Sequence, residues 1–308
     1  MQRVGAIVLG GLIGLAAIAA CGARTGLDAP APAGIPAIDA GAHAGPQPTD
    51  CPDAGSTLVY VATGQGNLYS FYPPTAAFTS LGALACPVPG PEWGPFSMAV
   101  DHKGTAYVLF ADQPDNDPFG QLYQVDPATL SCTSLPFTGS GAFGTFGMGF
   151  IGNADGLTDT LSIASYDPSG GSSQLGTLDL STFVVHDVGS ISPSTVQSAE
   201  LSGTGDGRLF AFYAIDQGSS SAVGELDPAT GALVANDDLT NLPQIAPGVG
   251  GGWAFGFWGD QFYLFTTSTS DPQSSIVTRF NPADGSQVQI ASLPETIVGA
   301  GVSTCAPQ

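Results

Sequence analysis

Short runs of alternating apolar and polar residues recur along most of the chain, and one of these runs returns in five copies. The copies begin at Leu68, Leu122, Leu175, Val223 and Val277. An alternation with a period of two residues predicts a β-strand with one buried face. Each copy ends in a turn that carries Tyr72, Asp126, Asp179, Asp227 or Asn281 at the equivalent position, at intervals of about 50 residues. In these turns an Asp or Asn side chain is expected to accept hydrogen bonds from downstream amides.

Two further apolar strands precede most copies, so that a complete unit has four strands. The strand directly before each copy spans 57–62, 106–111, 161–166, 208–215 and 262–267 in turn, and a Gly-rich strand such as 96–101 or 253–258 lies before it. Four short strands repeated about every 50 residues are typical of a β-propeller blade. Over residues 51–308 the chain resembles the propeller superfold broadly, including quinoprotein-like bacterial propellers, and no single enzymatic family. The resemblance implies an all-β fold with five four-stranded blades. Six or seven blades, or a β-sandwich, are the alternatives.

The first copy lacks an innermost strand, whereas the chain ends with an apolar segment that belongs to no copy, residues 297–304. If this segment pairs with residues 57–62, the first blade is completed and no strand edge stays open. The sequence therefore predicts ring closure between the N- and C-terminal strands.

Composition narrows the class of function. The 308 residues include only 5 Lys and Arg against 26 Asp and Glu, with a formal net charge of −21, and the few cations are scattered singly. A nucleic-acid surface needs clustered cations, so nucleic acid is excluded as a partner. The 43 Gly and 25 Pro also disfavour a helical fold.

The N-terminus has the pattern of a secretory signal. Arg3 precedes an uncharged apolar run from Val4 to Ala20, which ends at Cys21. The sequence Ile18-Ala19-Ala20-Cys21 resembles the lipobox of bacterial lipoproteins, which implies cleavage before Cys21 and attachment of acyl chains to it. An ordinary cleaved signal with an incidental Cys is the alternative. Gly22, where inner-membrane retention would use Asp, favours the outer membrane by the same resemblance.

These features divide the chain into three parts. Residues 1–20 are the predicted signal peptide, residues 21–50 the lipidated Cys with an Ala-, Pro- and Gly-rich tether, and residues 51–308 the propeller. The tether has no periodicity and little to bury, so we expect it to be disordered.

With Cys21 assigned to the lipid, four cysteines remain, and three pairings are possible. In an exported protein disulfides persist. The blade arrangement favours Cys51 with Cys305, which flank the closing strand pair, and Cys86 with Cys132, near the outer strands of the first two blades.

In a propeller the two kinds of inter-strand loop lie on opposite faces, and here the longer connections fall on one of them, named the long-loop face below. Binding sites concentrate on such loops. Candidate ligand-binding residues there are Asp112, Asp115, Asp117, Asp167, Asp216, Asp271 and Trp93. The Asp side chains suggest a Ca²⁺ site or a ring that attracts a cation. The alternative is that each Asp only initiates its own loop, since a known calcium-loop spacing is absent.

Glu200 is the candidate nearest the axis. When the innermost strands are aligned it shares a position with Ala99, Gly149, Gly256 and Ala300. A buried carboxylate among small residues needs a partner or a raised pKa, which makes Glu200 a candidate for ligand contact. A water-solvated channel group is the alternative.

No catalytic residue is assigned, and no cofactor or resident metal is expected beyond the possible Ca²⁺. The chain lacks Gly-x-Ser-x-Gly, phosphate-loop and His-Glu-x-x-His motifs, and His102 is expected to be solvated in a tight turn. We expect a cell-envelope lipoprotein that binds a protein or glycan through the long-loop face and meets the membrane through its lipid. A propeller hydrolase acting on sugars or lactones is the alternative.

Overall fold

Twenty β-strands, arranged as five antiparallel sheets of four, build the described part of the chain. The computed structural model describes residues 34–41, 45, 47–51, 57–112, 119–137, 139, 141–166, 171–193, 196–215, 220–240, 242, 251–268 and 271–308. Residues 35–308 form one compact unit.

Each sheet is one blade. The first contains β1 (Val59–Thr63), β2 (Asn67–Tyr72) and β3 (Ala77–Ala83), with the last strand of the chain, β20 (Ile297–Val302), on its inner side. The second contains β4 (Trp93–Val100), β5 (Ala106–Asp112), β6 (Gln121–Val125) and β7 (Cys132–Ser134). The third contains β8 (Phe146–Gly152), β9 (Asp159–Ser165), β10 (Gln174–Asp179) and β11 (Val184–Ser190). The fourth contains β12 (Ala199–Gly203), β13 (Leu209–Ile215), β14 (Ser220–Leu226) and β15 (Leu233–Leu239). The fifth contains β16 (Trp253–Trp258), β17 (Gln261–Ser268), β18 (Asp271–Asn281) and β19 (Ser286–Leu293).

The five innermost strands form a closed cycle around the axis. Strand β20 contacts β4, β4 contacts β8, β8 contacts β12, β12 contacts β16, and β16 returns to β20. This arrangement confirms the five-bladed propeller predicted from the repeat, and it excludes the six-bladed, seven-bladed and sandwich alternatives.

Ring closure follows the predicted strand pair. Strands β20 and β1 are antiparallel, with Val59 opposite Val302 and Val61 opposite Ala300. All of β1 is buried. Pairing with the C-terminal strand therefore removes the open edge that an unpartnered first blade would present.

A carboxylate beside the closing strand ties it to the first blade. The oxygens of Glu295 accept hydrogen bonds from Thr63 Oγ1 at 2.6 Å, from Asn67 Nδ2 at 3.0 and 3.1 Å, and from Tyr69 Oη at 2.6 Å. Burial raises the pKa of Glu295, but the hydrogen bonds from Thr63, Tyr69 and Asn67 together outweigh burial and lower it. Glu295 is thus held as a charged acceptor at the ring junction.

The turns between the third and fourth strands have the predicted side-chain contacts in four blades. The carboxylate or amide oxygens of Asp126, Asp179, Asp227 and Asn281 accept hydrogen bonds from the backbone amide two residues downstream at 2.8–3.1 Å. The hydrogen bonds from Ser181 and Thr182 lower the pKa of Asp179 to about 2. In the first blade a short 3-10 helix, Pro73–Thr75, takes the place of this turn.

The core lies between neighbouring blades, where both faces of the inner strands are covered. Between the fourth and fifth blades, Phe210, Phe257 and Phe262 are buried and their ring centroids lie 4.9–5.1 Å apart. Nearer the axis the backbones approach so closely that a Cβ on Gly147 would collide with the carbonyl oxygen of Ala199. A small ring of five blades therefore requires glycine at such positions.

Both favoured disulfides are present. Cys51 is bonded to Cys305, with their Cα atoms 5.6 Å apart, and Cys86 is bonded to Cys132, with their Cα atoms 5.1 Å apart. The first joins the start of the propeller to the segment that follows β20, and the second joins the first and second blades.

Part of the expected tether lies against the propeller. We name residues 35–41 and 47–50 the N-terminal strap. The amide of Asn236 in the outer strand β15 donates to the carbonyl oxygen of Pro36 at 2.7 Å, and the amide of Ile38 donates to Asp237 Oδ2 at 3.1 Å. The Ile38 side chain is buried in the core between the fourth and fifth blades. These residues therefore differ from the expectation of a disordered tether.

Arg208 holds the strap from the start of β13. It is buried, its guanidinium donates to the carbonyl oxygens of Asp39 and Ala40 at 2.7 and 3.1 Å, and it forms a two-pronged ion pair with Glu225 at 2.8 and 3.0 Å. The strap thus satisfies donors of a buried cation, which would be costly to leave unpaired.

The signal peptide, the lipobox and Cys21 lie outside the described residues. Among the residues that the structure describes, no helix is both long enough and apolar enough to cross a membrane.

Candidate ligand-binding cavity

A cavity of about 460 Å³ opens on the long-loop face, at the N-terminal ends of the five innermost strands. All five blades contribute to its wall. The described lining residues are Gly64, Gln65, Gly94, Pro95, Phe96, Gly147, Tyr166, Ser198, Ala199, Glu200, Gly251, Gly252, Trp253, Pro272, Gln273, Thr296 and Val298. Its volume lies within the usual range of small-ligand sites, about 300–1,000 Å³.

Glycine shapes the wall of this cavity. A Cβ on Gly252 would collide with the carbonyl oxygen of Ile297 in the closing strand, so only glycine allows the fifth blade to approach so closely there. The result is a narrow ring of backbone into which few side chains project.

Glu200 is the carboxylate of the cavity, and it is 6% exposed. Its Oε2 accepts a hydrogen bond from Ser97 Oγ at 2.8 Å, and Ser97 Oγ in turn accepts one from the amide of Met148 at 3.2 Å. Glu200 lies in the fourth blade, Ser97 in the second and Met148 in the third, so this network joins three blades. Among the described residues the second oxygen, Oε1, accepts no hydrogen bond.

Burial sets the protonation of this carboxyl group. Loss of solvation raises the pKa of Glu200 well above its ordinary value, and the hydrogen bond from Ser97 opposes that effect only in part. None of the described lining residues is Lys, Arg or His. Glu200 therefore has a neutral hydrogen-bond donor but no counter-charge from the described wall.

Ser198 is a second polar group with unused hydrogen-bonding capacity. It is 2% exposed, it lines the cavity two residues before Glu200, and its Oγ has no hydrogen-bond partner in the described part of the chain. A buried hydroxyl without a partner carries a desolvation cost of roughly 1–3 kcal/mol. Ser198 and Glu200 together offer a donor and two acceptor groups to a bound molecule.

The other described side chains of the wall include three aromatic rings and polar groups that are already hydrogen-bonded. The rings of Phe96 and Tyr166 meet edge to face with centroids 5.5 Å apart, and Trp253 packs edge to face on Phe212 at 5.4 Å. At the rim, Thr296 Oγ1 donates to the carbonyl oxygen of Pro272 at 2.6 Å. The cavity thus combines rigid aromatic surfaces with a few polar groups, which is the usual make-up of a binding pocket.

The residues that align with Glu200 on the other innermost strands do not line the cavity with it. The cavity is lined by Glu200 but not by Ala99, Gly149, Gly256 or Ala300. Strand β4 shifts register between Pro95 and Ser97. Residues at the same count along two inner strands can therefore lie at different heights along the propeller axis.

The described candidates from the loops do not line the cavity. Asp112 ends β5 opposite Trp93, and its Oδ1 is buried without a hydrogen-bond partner. Asp271 is exposed and accepts a hydrogen bond from Ser274 Oγ at 2.6 Å. Trp93 packs against the core between the first and second blades. The other Asp candidates lie outside the described residues, namely Asp115, Asp117, Asp167 and Asp216.

No group of three or more His, Cys, Asp and Glu side chains that would suit a metal ion occurs among the described residues. A Ca²⁺ ion takes six to eight oxygen ligands, and the cavity wall supplies one carboxylate. The described wall also does not assemble the pair of carboxylates that glycoside hydrolysis uses.

The opposite face contains a polar cluster that sequence reasoning misjudged. His102 is buried, contrary to the expectation of a solvated turn. Its amide and its Nδ1 contact Asp159 Oδ2 at 2.7 and 3.0 Å, and Thr304 Oγ1 donates to Asp159 Oδ1 at 3.0 Å. Asp50 of the strap lies 3.7 Å from His102 Nε2. His102 is enclosed because the strap and the C-terminal segment both cover this face.

Sequence reasoning also missed Ser97 and Ser198. Each is a small polar residue in or beside an apolar strand, and nothing local marks it as part of a site. The contact between Ser97 and Glu200 joins residues 103 positions apart, across non-adjacent blades. Only the closed ring brings them together.

Comparison with known proteins identifies no family for this chain. No protein-family model and no curated protein sequence matches this chain. A chain of a nidogen–laminin complex is 10% identical with a TM-score of 0.48, and the match covers 81% of this chain and 99% of that one. Regucalcin of Agrobacterium tumefaciens strain C58, described as a calcium-binding protein, is 13% identical with a TM-score of 0.42, covering 82% of this chain and 75% of that one.

A prolyl endopeptidase is 14% identical with a TM-score of 0.35, and the match covers 77% of this chain and 37% of that one. Similarities this distant carry no argument about substrate or partner. The sheets themselves define the protein as a five-bladed β-propeller.

Proposed function

We propose that this protein is a non-enzymatic binding module of the cell envelope, anchored by lipid at Cys21, that takes its ligand at the long-loop face. The axial cavity is the centre of that face. The observation that supports this role is the cavity itself, because five rigid blades hold a buried carboxylate and an unpartnered hydroxyl at its wall. Buried polar groups without partners are costly to folding, and a ligand that pairs with them offsets that cost.

Filling the cavity tests its role in binding. Val298 lines the cavity, and Val288 lies exposed on the outer strand β19. We expect Val298→Trp to abolish binding of an envelope component to the full-length protein, measured by native mass spectrometry after incubation with fractionated envelope extract. The matched variant Val288→Trp should bind as the parent does.

Two results would count against this role. Binding that survives Val298→Trp unchanged would place the ligand elsewhere on the molecule. Turnover of a sugar or lactone substrate in a broad hydrolase screen would favour the hydrolase alternative.

The lipid anchor has its own test. The Cys21→Ser variant should leave the membrane fraction and appear in the soluble fraction, because several acyl chains at about 0.8 kcal/mol per buried methylene supply the anchoring. A Cys21→Ser protein that still sediments with membrane and resists release would refute lipidation at this residue. Fractionation of inner and outer membranes then tests the location that Gly22 favours.

A further inference from the structure

We propose that the axial cavity binds a small organic molecule bearing an ammonium group, whose N–H groups donate to Glu200 and Ser198 while its carbon skeleton packs on the aromatic wall. This proposal rests on the proposed function, because it names the chemical class of the ligand for the same cavity.

The acceptors of the wall are the first reason. Glu200 uses Oε2 for the hydrogen bond from Ser97, and among the described residues neither Glu200 Oε1 nor Ser198 Oγ has a hydrogen-bond partner. Residues two apart along an extended segment share a face, and both of these line the cavity. An ammonium group is a donor of up to three hydrogen bonds and carries the counter-charge that Glu200 lacks.

The charge of the surroundings is the second reason. None of the described lining residues is cationic, so the wall offers no counter-charge to an anionic ligand. The whole chain has a formal net charge of −21, which raises the local concentration of cations. Trp253, Phe96 and Tyr166 add aromatic surfaces, which attract cations through their ring electrons.

The donor set selects an organic cation over a metal ion. The described wall supplies a single carboxylate, whereas a Ca²⁺ ion takes six to eight oxygen ligands, commonly from several carboxylates. A neutral ligand could pair with Ser198, but it would supply no counter-charge that favours the ionised form of Glu200.

Three probes of similar size separate the ligand classes by charge. These are 2-phenylethylamine as the cation, 2-phenylethanol as the neutral analogue and phenylacetate as the anion. Binding to the full-length protein in detergent is followed by the indole N–H resonance of Trp253 in ¹⁵N spectra. Trp258 is an internal reference, because its indole Nε1 donates to the carbonyl oxygen of Thr57 at 2.7 Å outside the cavity.

At pH 8 we expect the amine to bind at least tenfold more tightly than the alcohol, with no binding of phenylacetate. Glu200→Gln should reduce the affinity for the amine to that of the alcohol. Ser198→Ala should reduce the affinity for the amine several-fold. Glu295→Gln is the matched control, because it removes a hydrogen-bonded carboxylate that does not line the cavity, and it should leave the preference unchanged.

The preference for the amine over the alcohol should also depend on pH. Because burial raises the pKa of Glu200, an amine must displace its proton, and the affinity should rise up to tenfold per pH unit until Glu200 ionises. The strands packed on β12 are β8, β9, β13, β16 and β20. Their described titratable groups are Asp159, which is bound by Thr304 at the opposite face, and Tyr213. Tyr166 is the other titratable side chain of the described wall.

The outcomes separate this proposal from the proposed function. Tighter binding of the alcohol or of phenylacetate refutes the ammonium class but leaves a ligand-binding cavity. Equal affinities for amine and alcohol, or a preference that survives Glu200→Gln, refute it as well. If no probe shifts Trp253, the ammonium class is rejected, and the proposed function is judged by the Val298→Trp experiment alone.

Discussion

Two glutamates of this propeller show how surroundings, more than residue type, decide what a carboxylate does. Glu295 accepts hydrogen bonds from three side chains of the first blade, which lower its pKa. Glu200 has one such bond from Ser97, and burial raises its pKa. Glu295 therefore stabilises the fold as a charged group. Burial of the Glu200 carboxyl group instead lowers the stability of the fold, and a ligand that pairs with it can offset that cost.

The pH dependence of stability should reveal the cost of Glu200. Between its unfolded and folded pKa values the folded protein keeps a proton that the unfolded chain releases, so stability falls as pH rises through that window. Each pH unit of the window is worth about 1.4 kcal/mol. We therefore expect Glu200→Gln to match the parent near pH 4 and to become the more stable protein above it. Urea unfolding of both proteins at several pH values measures this difference, and a constant difference would contradict the burial argument.

The same substitution at Glu295 should have the opposite pH dependence. A folded pKa below the unfolded value gives stability that is present above the unfolded pKa and is lost as pH falls through the folded one. Charged hydrogen bonds contribute about 1.5–3 kcal/mol each, so we expect Glu295→Gln to lower the free energy of unfolding by about 2 kcal/mol at pH 7. The loss should shrink below pH 4. A loss that stays the same at acidic pH would mean that the charge of Glu295 does not matter.

At the scale of elements, the repeat made most of the fold predictable. The blades, their order and the closing strand followed from a two-residue alternation repeated along the chain, because each blade needs the same buried faces. The strap was not predictable. Its contacts are made largely by the backbone carbonyls of Pro36, Asp39 and Ala40, which every residue has, so its composition indicated only disorder.

The site was predictable only in part, for a related reason. Glu200 stood out as a carboxylate among small residues, whereas its partner Ser97 belongs to a non-adjacent blade. No local pattern reports a contact across the ring. Five blades contribute to the cavity wall, and which residues of each strand reach it depends on the height of that strand along the axis. That height changes at bulges such as the one after Pro95.

The strap should detach when its buried cation is removed. We expect Arg208→Met to lower the free energy of unfolding by roughly 3 kcal/mol, because it leaves Glu225 without its partner and two strap carbonyls without a donor. Hydrogen exchange should accelerate at the amides of Ile38 and Asn236, which bond within this contact. The control Arg279→Met, at an exposed position of β18, should change neither. Unchanged exchange at both amides in Arg208→Met would show that the strap is held by other contacts.

At the scale of the whole molecule, the ring depends on a strand and a disulfide that close the same junction. Strand β20 buries Ile297, Ala300 and Val302 between the first and fifth blades. The Cys51–Cys305 bond spans a sequence separation of 254, against 46 for Cys86–Cys132. On the loop-entropy model the two bonds contribute about 5.5 and 4 kcal/mol respectively. The strand provides packing in the folded protein, while the disulfides act mainly on the unfolded chain.

Removing the closing strand and each disulfide in separate variants should rank their contributions to stability. Deleting residues 297–308 should open the ring, expose the buried face of β1 and cause aggregation or loss of a cooperative melt. The double variant Cys51→Ala, Cys305→Ala should melt lower than the parent but cooperatively, because β20 still pairs with β1. The double variant Cys86→Ala, Cys132→Ala should lose about 1.5 kcal/mol less stability than the double variant at Cys51 and Cys305, on the same model. Calorimetry with light scattering measures all three. A truncated chain that melts like the double variant at Cys51 and Cys305 would mean that the disulfide, and not the strand, closes the propeller.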